Sequence, residues 1–208
     1  MCDKALLSKT NQIMYRTWGW DSFLRMITYS FKVLGWGLTK SGNPLITKKL
    51  LTIGGAISEY RTITRFSGLP DTAEAFIDLI NERKSKDPDT YTVEFVQNLS
   101  LIFYYGCEHL AWFKDHKIVS GDSDRLWRMS SQAWGVWIIL ELYLCWKRYK
   151  TAKTEKEKNT IALSILKNLS DMVLAYHWSV KKSPISDLFI GIFGVIGSVV
   201  GLKKLYAP

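Results

Sequence analysis

Apolar residues recur at helical spacing through most of this 208-residue chain, and the breaks between the runs mark its elements. Trp20, Phe23, Leu24, Ile27, Phe31, Leu34 and Leu38 follow a three- or four-residue step, while Arg25 and Lys32 fall off that stripe. The pattern predicts an amphipathic helix with Asp21 placed to cap its start and "SGNP" (Ser41 to Pro44) ending it. A second stripe of Ile46, Leu50, Ile53, Ile57 and Tyr60, with Lys48 and Arg65 off it, predicts a second helix that "SGLPD" breaks or kinks around Pro70. "TAEAFIDLINERK" closes this part as a shorter helix.

Charge and turn formers in "SKDPDT" (Ser85 to Thr90) make the first clear linker. A long aromatic helix is predicted from Tyr91 to about Lys117, and "VSGDSD" (Val119 to Asp124) forms a second linker. The next helix holds "WGVWIILELYLCW", Trp134 to Trp146, and the one after it "IALSILKNLSDMVLAYHW"; "KKSPISD" then precedes a last apolar run. No strand alternation and no internal repeat is present, so the expected fold is all-α. It divides into an amphipathic region over 1–84, central helices over 85–182, and a C-terminal hydrophobic segment with a short basic tail over 183–208.

That last segment, "LFIGIFGVIGSVVGLKKLY", carries no charge from Leu188 to Leu202. A span needs about 20 residues for a hydrocarbon core of about 30 Å. Ile185, Ser186 and headgroup-reaching Asp187 and Lys203 bring the run close to a short span. Glycine inside a helix costs about 1 kcal/mol relative to alanine, so four of them require a compensating contact. Gly191, Gly194, Gly197 and Gly201 are three, three and four residues apart and line one face, a groove against which another backbone packs closely. The bland alternative is a tight helix in a soluble core; the flanking Lys181, Lys182, Lys203 and Lys204 favour a membrane helix. Its expected partner is a second copy, Trp134 to Trp146, or Ile161 to Trp178. Phe95 to Phe113 and Trp134 to Trp146 are interrupted by Gln97, Asn98, Glu108, His109 and Glu141, and hydropathy does not decide whether they are core, interfacial or spanning.

Composition sharpens this picture in three places. Nine Trp and ten Tyr suit a chain that sets amphipathic rings at a water–oil boundary, and a net charge of +9 favours an acidic partner such as an anionic membrane surface. Cys2, Cys107 and Cys145 form no disulfide framework or metal spacing and suggest a reducing compartment. "MCDKALLSKTNQ" lacks the apolar core of a secretory signal, and the terminal "YAP" is no peroxisomal matrix address.

Several stretches together resemble the peroxin-eleven family of peroxisomal membrane proteins. "GWDSFLR" (Gly19 to Arg25) is similar to that family's opening "G-R-D-K-x-x-R", and "YRTITRFSG" (Tyr60 to Gly68) to its basic amphipathic helix. "GCEHLAWFKDHKI" and "RLWRMSSQAWGVWIILELYLCWKR" resemble its central helices, and "LKNLSDMVLAYHW" with the Gly-rich segment its C-terminal pattern. The match is collinear from about Gly19 to Tyr206; Trp20, Ser22 and Thr62 stand where the family carries basic residues, and Pro70 shortens the basic helix. The resemblance implies a membrane-associated bundle of amphipathic and hydrophobic helices ending in a Gly-rich membrane helix. It also implies elongation of the peroxisomal membrane ahead of division, self-association into a homo-oligomer, and contact with the organelle fission machinery. An amphipathic helix lying in one leaflet wedges headgroups apart. Carried over to this chain, Arg61 and Arg65, with Lys48, supply attraction to anionic lipid, and Ile53, Ile57, Tyr60, Ile63 and Phe66 the apolar side.

Other classes fit less well. His109 and His116 are seven apart and share no metal without outside ligands, and no P-loop, dinucleotide fingerprint, nucleophile elbow or zinc spacing is present. The sequence therefore predicts no enzyme activity, no cofactor and no metal. Basic residues are spread out and aromatics lie in apolar runs, which does not make a nucleic-acid platform. A pore or solute-passage role in the same membrane is the alternative, with Glu108, Glu141 and Asp171 as lining groups.

Overall fold

The computed structural model describes residues 8–12 and 17–206; Cys2 and most of the N-terminal stretch read above lie outside the described residues. Residues 8–12 are helical, and no strand occurs among the described residues. From residue 17 onward the chain forms α1 (Thr17–Lys40), α2 (Pro44–Thr64), α3 (Gly68–Asn81), α4 (Pro88–Asp115), α5 (Asp124–Thr151), α6 (Glu155–Ser179) and α7 (Asp187–Tyr206).

The breaks have local causes. Pro44 and Pro88 sit in the first turns of α2 and α4, where a missing N–H costs nothing. Asp87 caps α4 by accepting from the Thr90 N–H at 3.1 Å, and Thr154 with Glu157 makes a capping box at the start of α6. Between α2 and α3 the chain tightens into a 3₁₀ turn, Arg65–Ser67, and Pro70 falls in the first turn of α3. The predicted break around Pro70 therefore comes slightly earlier, at Arg65–Ser67. Asp21 is not a cap: α1 begins at Thr17, which leaves Asp21 inside the helix with its carboxylate turned to α2.

Neighbours follow one another in order: α2 packs on α1, α1 on α7, α7 on α6, α6 on α5, α5 on α4, and α4 on α3, while the end of α2 and the turn after it also meet α4. Tyr29 of α1, Leu174 of α6 and Ile190 of α7 make the central apolar cluster, with Trp134, Val173 and Phe193 against it. Arg25, expected on the outer side of α1, is turned inward, its side chain 12% exposed and ion-paired with Asp171 of α6.

Candidate functional site

The outer face of α2 is the first candidate surface. Thr47, Gly54, Arg61 and Thr62 are the buried positions of this helix, small or polar residues that fit against a single neighbour. The Thr47 hydroxyl donates to the Gly35 carbonyl of α1 at 3.1 Å, and Gly54 lies against Phe31 and the Thr28 carbonyl. With that face taken, the opposite one stays open: Ile53, Tyr60 and Ile63 are 51%, 48% and 45% exposed, beside Ile46 and the exposed Lys48 and Lys49. Ile57 is half-buried.

Three residues expected on this surface point elsewhere. Arg61 donates to both carboxylate oxygens of Asp21, at 2.9 and 3.2 Å. Arg65 makes a two-pronged contact with Glu108 of α4, at 3.0 and 2.6 Å, and Tyr104 donates to the same carboxylate at 3.0 Å. Phe66 packs its ring 4.1 Å from His109, with Trp112 and Phe113 edge-on. The physical reason is placement: Arg61 lies on the face that α1 covers, Arg65 and Phe66 lie in the turn that meets α4, and Asp21 and Glu108 supply the opposite charge there. Paired, fork-to-carboxylate arginines of this kind join helices.

The second candidate surface is the glycine face of α7. All four glycines are buried. A Cβ on Gly191 would come 2.7 Å from Val33 Cγ2 and 3.2 Å from the Tyr29 carbonyl oxygen of α1, and one on Gly194 would enter the Tyr29 ring. A Cβ on Gly197 would lie 2.9 Å from Asp171 Oδ1, so this glycine makes room for the Arg25–Asp171 pair. Gly201 is looser, its nearest neighbours being Lys167 Cε at 3.6 Å and Ser22 Oγ at 3.7 Å. The helices against this face are thus α1 along its length and α6 at Gly197 and Gly201. Trp134 to Trp146, named as a partner from sequence, is not among these contacts.

Sequence reasoning missed the pairs that tie the helices together. Asp171, 2% exposed at its side chain, also accepts from Lys167 at 2.7 Å. Gln97 of α4 donates to the Trp137 carbonyl at 3.4 Å and to Glu141 at 3.3 Å on α5, and Glu141 is ion-paired with Arg148. The available signal was a charged or amide residue set inside an apolar run; its partner could not be read locally. At the helix ends, the Lys147 ammonium beside Asp87 draws that carboxyl down to about 2, with the Thr90 N–H helping. His116, just past α4, sits above its ordinary value because the Trp112 carbonyl and the Glu59 carboxylate face its ring. Among the described residues no three His, Cys, Asp or Glu side chains converge as a metal site.

Among the described residues the chain is an all-helical bundle with an open apolar and basic face on α2, and its terminal helix is by length and composition able to cross a bilayer. The family model for Peroxisomal biogenesis factor 11 (PEX11) matches residues 7–151 and 146–206, and the chain belongs to that family. It is a peroxisomal membrane protein that acts in peroxisome proliferation. Peroxisomal membrane protein 11C of Homo sapiens is 25% identical over 89% of this chain and 88% of its own length, and its Mus musculus counterpart is 22% identical over 86% of each. An uncharacterised protein of Schizosaccharomyces pombe is 30% identical over 78% of this chain and 80% of its own length. No solved structure matches.

Proposed function

We propose that the protein elongates the peroxisomal membrane ahead of division by inserting the outer face of α2 into lipid, many self-associated copies acting together. The supporting observation is the exposed cluster of Ile46, Ile53, Tyr60 and Ile63 beside Lys48 and Lys49, on a helix whose other face packs on α1. Between Lys49 and Glu59 the helix is free of charge over residues 50–58. Inserted in one leaflet, the Ile46–Ile63 face displaces lipid there alone, which is the asymmetry curvature needs. Lys48 and Lys49 add about 1 kcal/mol each toward anionic headgroups. Arg61 and Arg65 act in this reading not on lipid but as the struts that hold α2 to α1 and α4. The reading requires no catalysis and no cofactor; the fission machinery of the organelle is the downstream partner.

A pore is the weaker reading because its lining carboxylates are neutralised in place: Glu108 by Arg65, Asp171 by Arg25 and Lys167, Glu141 by Arg148. Reconstituting the full chain in vesicles containing anionic lipid, while following both shape and release of a trapped small solute, separates the two. Tubulation of sealed vesicles is expected. Solute release without any change of shape would replace the proposal with the pore.

A further inference from the structure

Along α4, α5 and α6 large apolar side chains face outward while polar ones share the interior with Ile138, Leu144 and Leu174, a mixture unlike that of a water-soluble bundle. Leu99 and Phe103 on α4, Val136 and Ile139 on α5, and Leu166 and Leu169 on α6 are all exposed. On the same helices Gln97, Glu108, Ser130, Asn168, Ser170 and Asp171 are buried. Water as solvent drives apolar faces inward. Hydrocarbon as solvent gives no such drive and instead turns polar groups toward one another, where they hydrogen-bond between helices. That is what the interior shows: Gln97 bonds across to α5, Ser100 donates to the Ala133 carbonyl at 2.7 Å, and Asp171 pairs with Arg25.

Surface area points the same way. The chain exposes 12873 Å², whereas a globular chain of 23.9 kDa exposes about 9,900 Å². The excess is surface that a loosely layered set of helices leaves uncovered, and the exposed apolar side chains of α4, α5 and α6 lie on it.

Tryptophans locate the edges of that cover. Trp146 is exposed at the end of α5, beside the start of α6 and the end of α7, while Trp178 is exposed at the end of α6, where α7 begins. Each carries a lysine over its ring: Lys150 is 3.6 Å from the Trp146 centroid, and Lys32 is 5.2 Å from that of Trp178. Trp36, at the end of α1, has Lys40 at 5.9 Å. Amphipathic rings with snorkelled lysines at both ends of an apolar belt mark the two faces of a bilayer.

From this we infer that α4, α5 and α6 cross the bilayer together with α7, the apolar belt facing lipid acyl chains. Helix-by-helix hydropathy singles out α7 among the described residues because the inward face of each other helix dilutes the average. Residues 95–112 hold one charge, Glu108, and residues 129–146 one, Glu141. Residues 159–178 hold Lys167 and Asp171, which pair with each other. Each window is 18–20 residues, about 27–30 Å of helix, the height of a hydrocarbon core.

The consequence is an alternating topology: the α4–α5 and α6–α7 loops lie on one side and the α5–α6 loop on the other. A chain anchored by α7 alone puts all three loops on one side. Single cysteines at Ser120, Lys153 and Lys182 (S120C, K153C, K182C), in full chains with Cys2, Cys107 and Cys145 replaced by alanine, are labelled with a membrane-impermeant maleimide on intact and then permeabilised peroxisomes. K153C is expected to react in the opposite condition from S120C and K182C. Any pattern in which Lys153 shares a side with Ser120 or Lys182 overturns the inference. Epitope insertions at the same three loops in a chain with its native cysteines, read by antibody access, give the same partition if the inference holds and a shared side if it fails. Neither result bears on whether the protein elongates membranes, so this topology and the shaping function fail separately.

Discussion

The tightest contact on α7 makes a quantitative prediction at Gly194. A methyl group there would enter the Tyr29 ring, whereas one at Gly201 meets nothing closer than 3.6 Å. Both substitutions to alanine gain the same helix propensity, about 1 kcal/mol. That term cancels in the difference between them, leaving the overpacking penalty, about 1–3 kcal/mol. For a chain of this length each 1 kcal/mol moves the melting temperature by about 2–4 °C. Gly194→Ala is therefore expected to melt about 2–12 °C below Gly201→Ala in thermal unfolding of the purified protein in detergent. Because the clash is with one side chain, Tyr29→Leu combined with Gly194→Ala recovers part of the loss, a coupling that a double-mutant cycle measures. Carrying the bulk further, the Gly194→Leu, Gly197→Leu chain still resists carbonate extraction but no longer elongates peroxisomes. Equal melting of the two alanine variants, with no coupling to Tyr29, would refute close packing of α7 on α1.

Three further outcomes are expected. Arg65→Ala leaves the buried Glu108 charge with the Tyr104 hydroxyl but no cation, costing about 3–5 kcal/mol, while Arg65→Met with Glu108→Leu recovers most of it; denaturant unfolding of the three chains checks this, and an undisturbed Arg65→Ala would dismiss the pair as a strut. In a peptide covering Lys48 to Leu69, Lys48→Glu with Lys49→Glu weakens binding to anionic vesicles and reduces its salt dependence, since exposed charge acts over about 8 Å at physiological ionic strength; unaltered salt dependence would mean that other residues carry the attraction. His116, raised above its ordinary value by the Trp112 carbonyl and Glu59, holds its tie to α2 fully below about pH 6.5 and loses it as pH rises through the higher folded value; an NMR titration should show Glu59→Gln lowering that value, and no change would remove Glu59 from the contact.

Legibility in the sequence differs from residue to residue. The helices and the glycine face were legible because a three-or-four step of residue types is itself the geometry of a helix face. Which face turns inward was not, because a stripe reveals two faces and the solvent decides between them. Arg25 illustrates this: it falls off the apolar stripe, yet Asp171, 146 positions away, turns it inward. Arg61 and Arg65 are the same case, since their partners Asp21 and Glu108 lie 40 and 43 residues off and local pattern holds no trace of either. Of the partners of the glycine groove, Ile161 to Trp178 was legible and does meet Gly197 and Gly201, whereas α1, which meets α7 from the other end of the chain, was hidden.

The claim that α2 shapes the membrane is tested most directly at its outer face. Ile53→Ser, Tyr60→Ser and Ile63→Ser together alter exposed positions, where substitutions ordinarily move stability by no more than about 0.5 kcal/mol each. Peroxisome length is measured by fluorescence microscopy in cells expressing this triple variant or the unaltered chain at matched levels. The account predicts that both chains reach the peroxisomal membrane and that elongation occurs with the unaltered chain alone; elongation by the triple variant to the same length would contradict it.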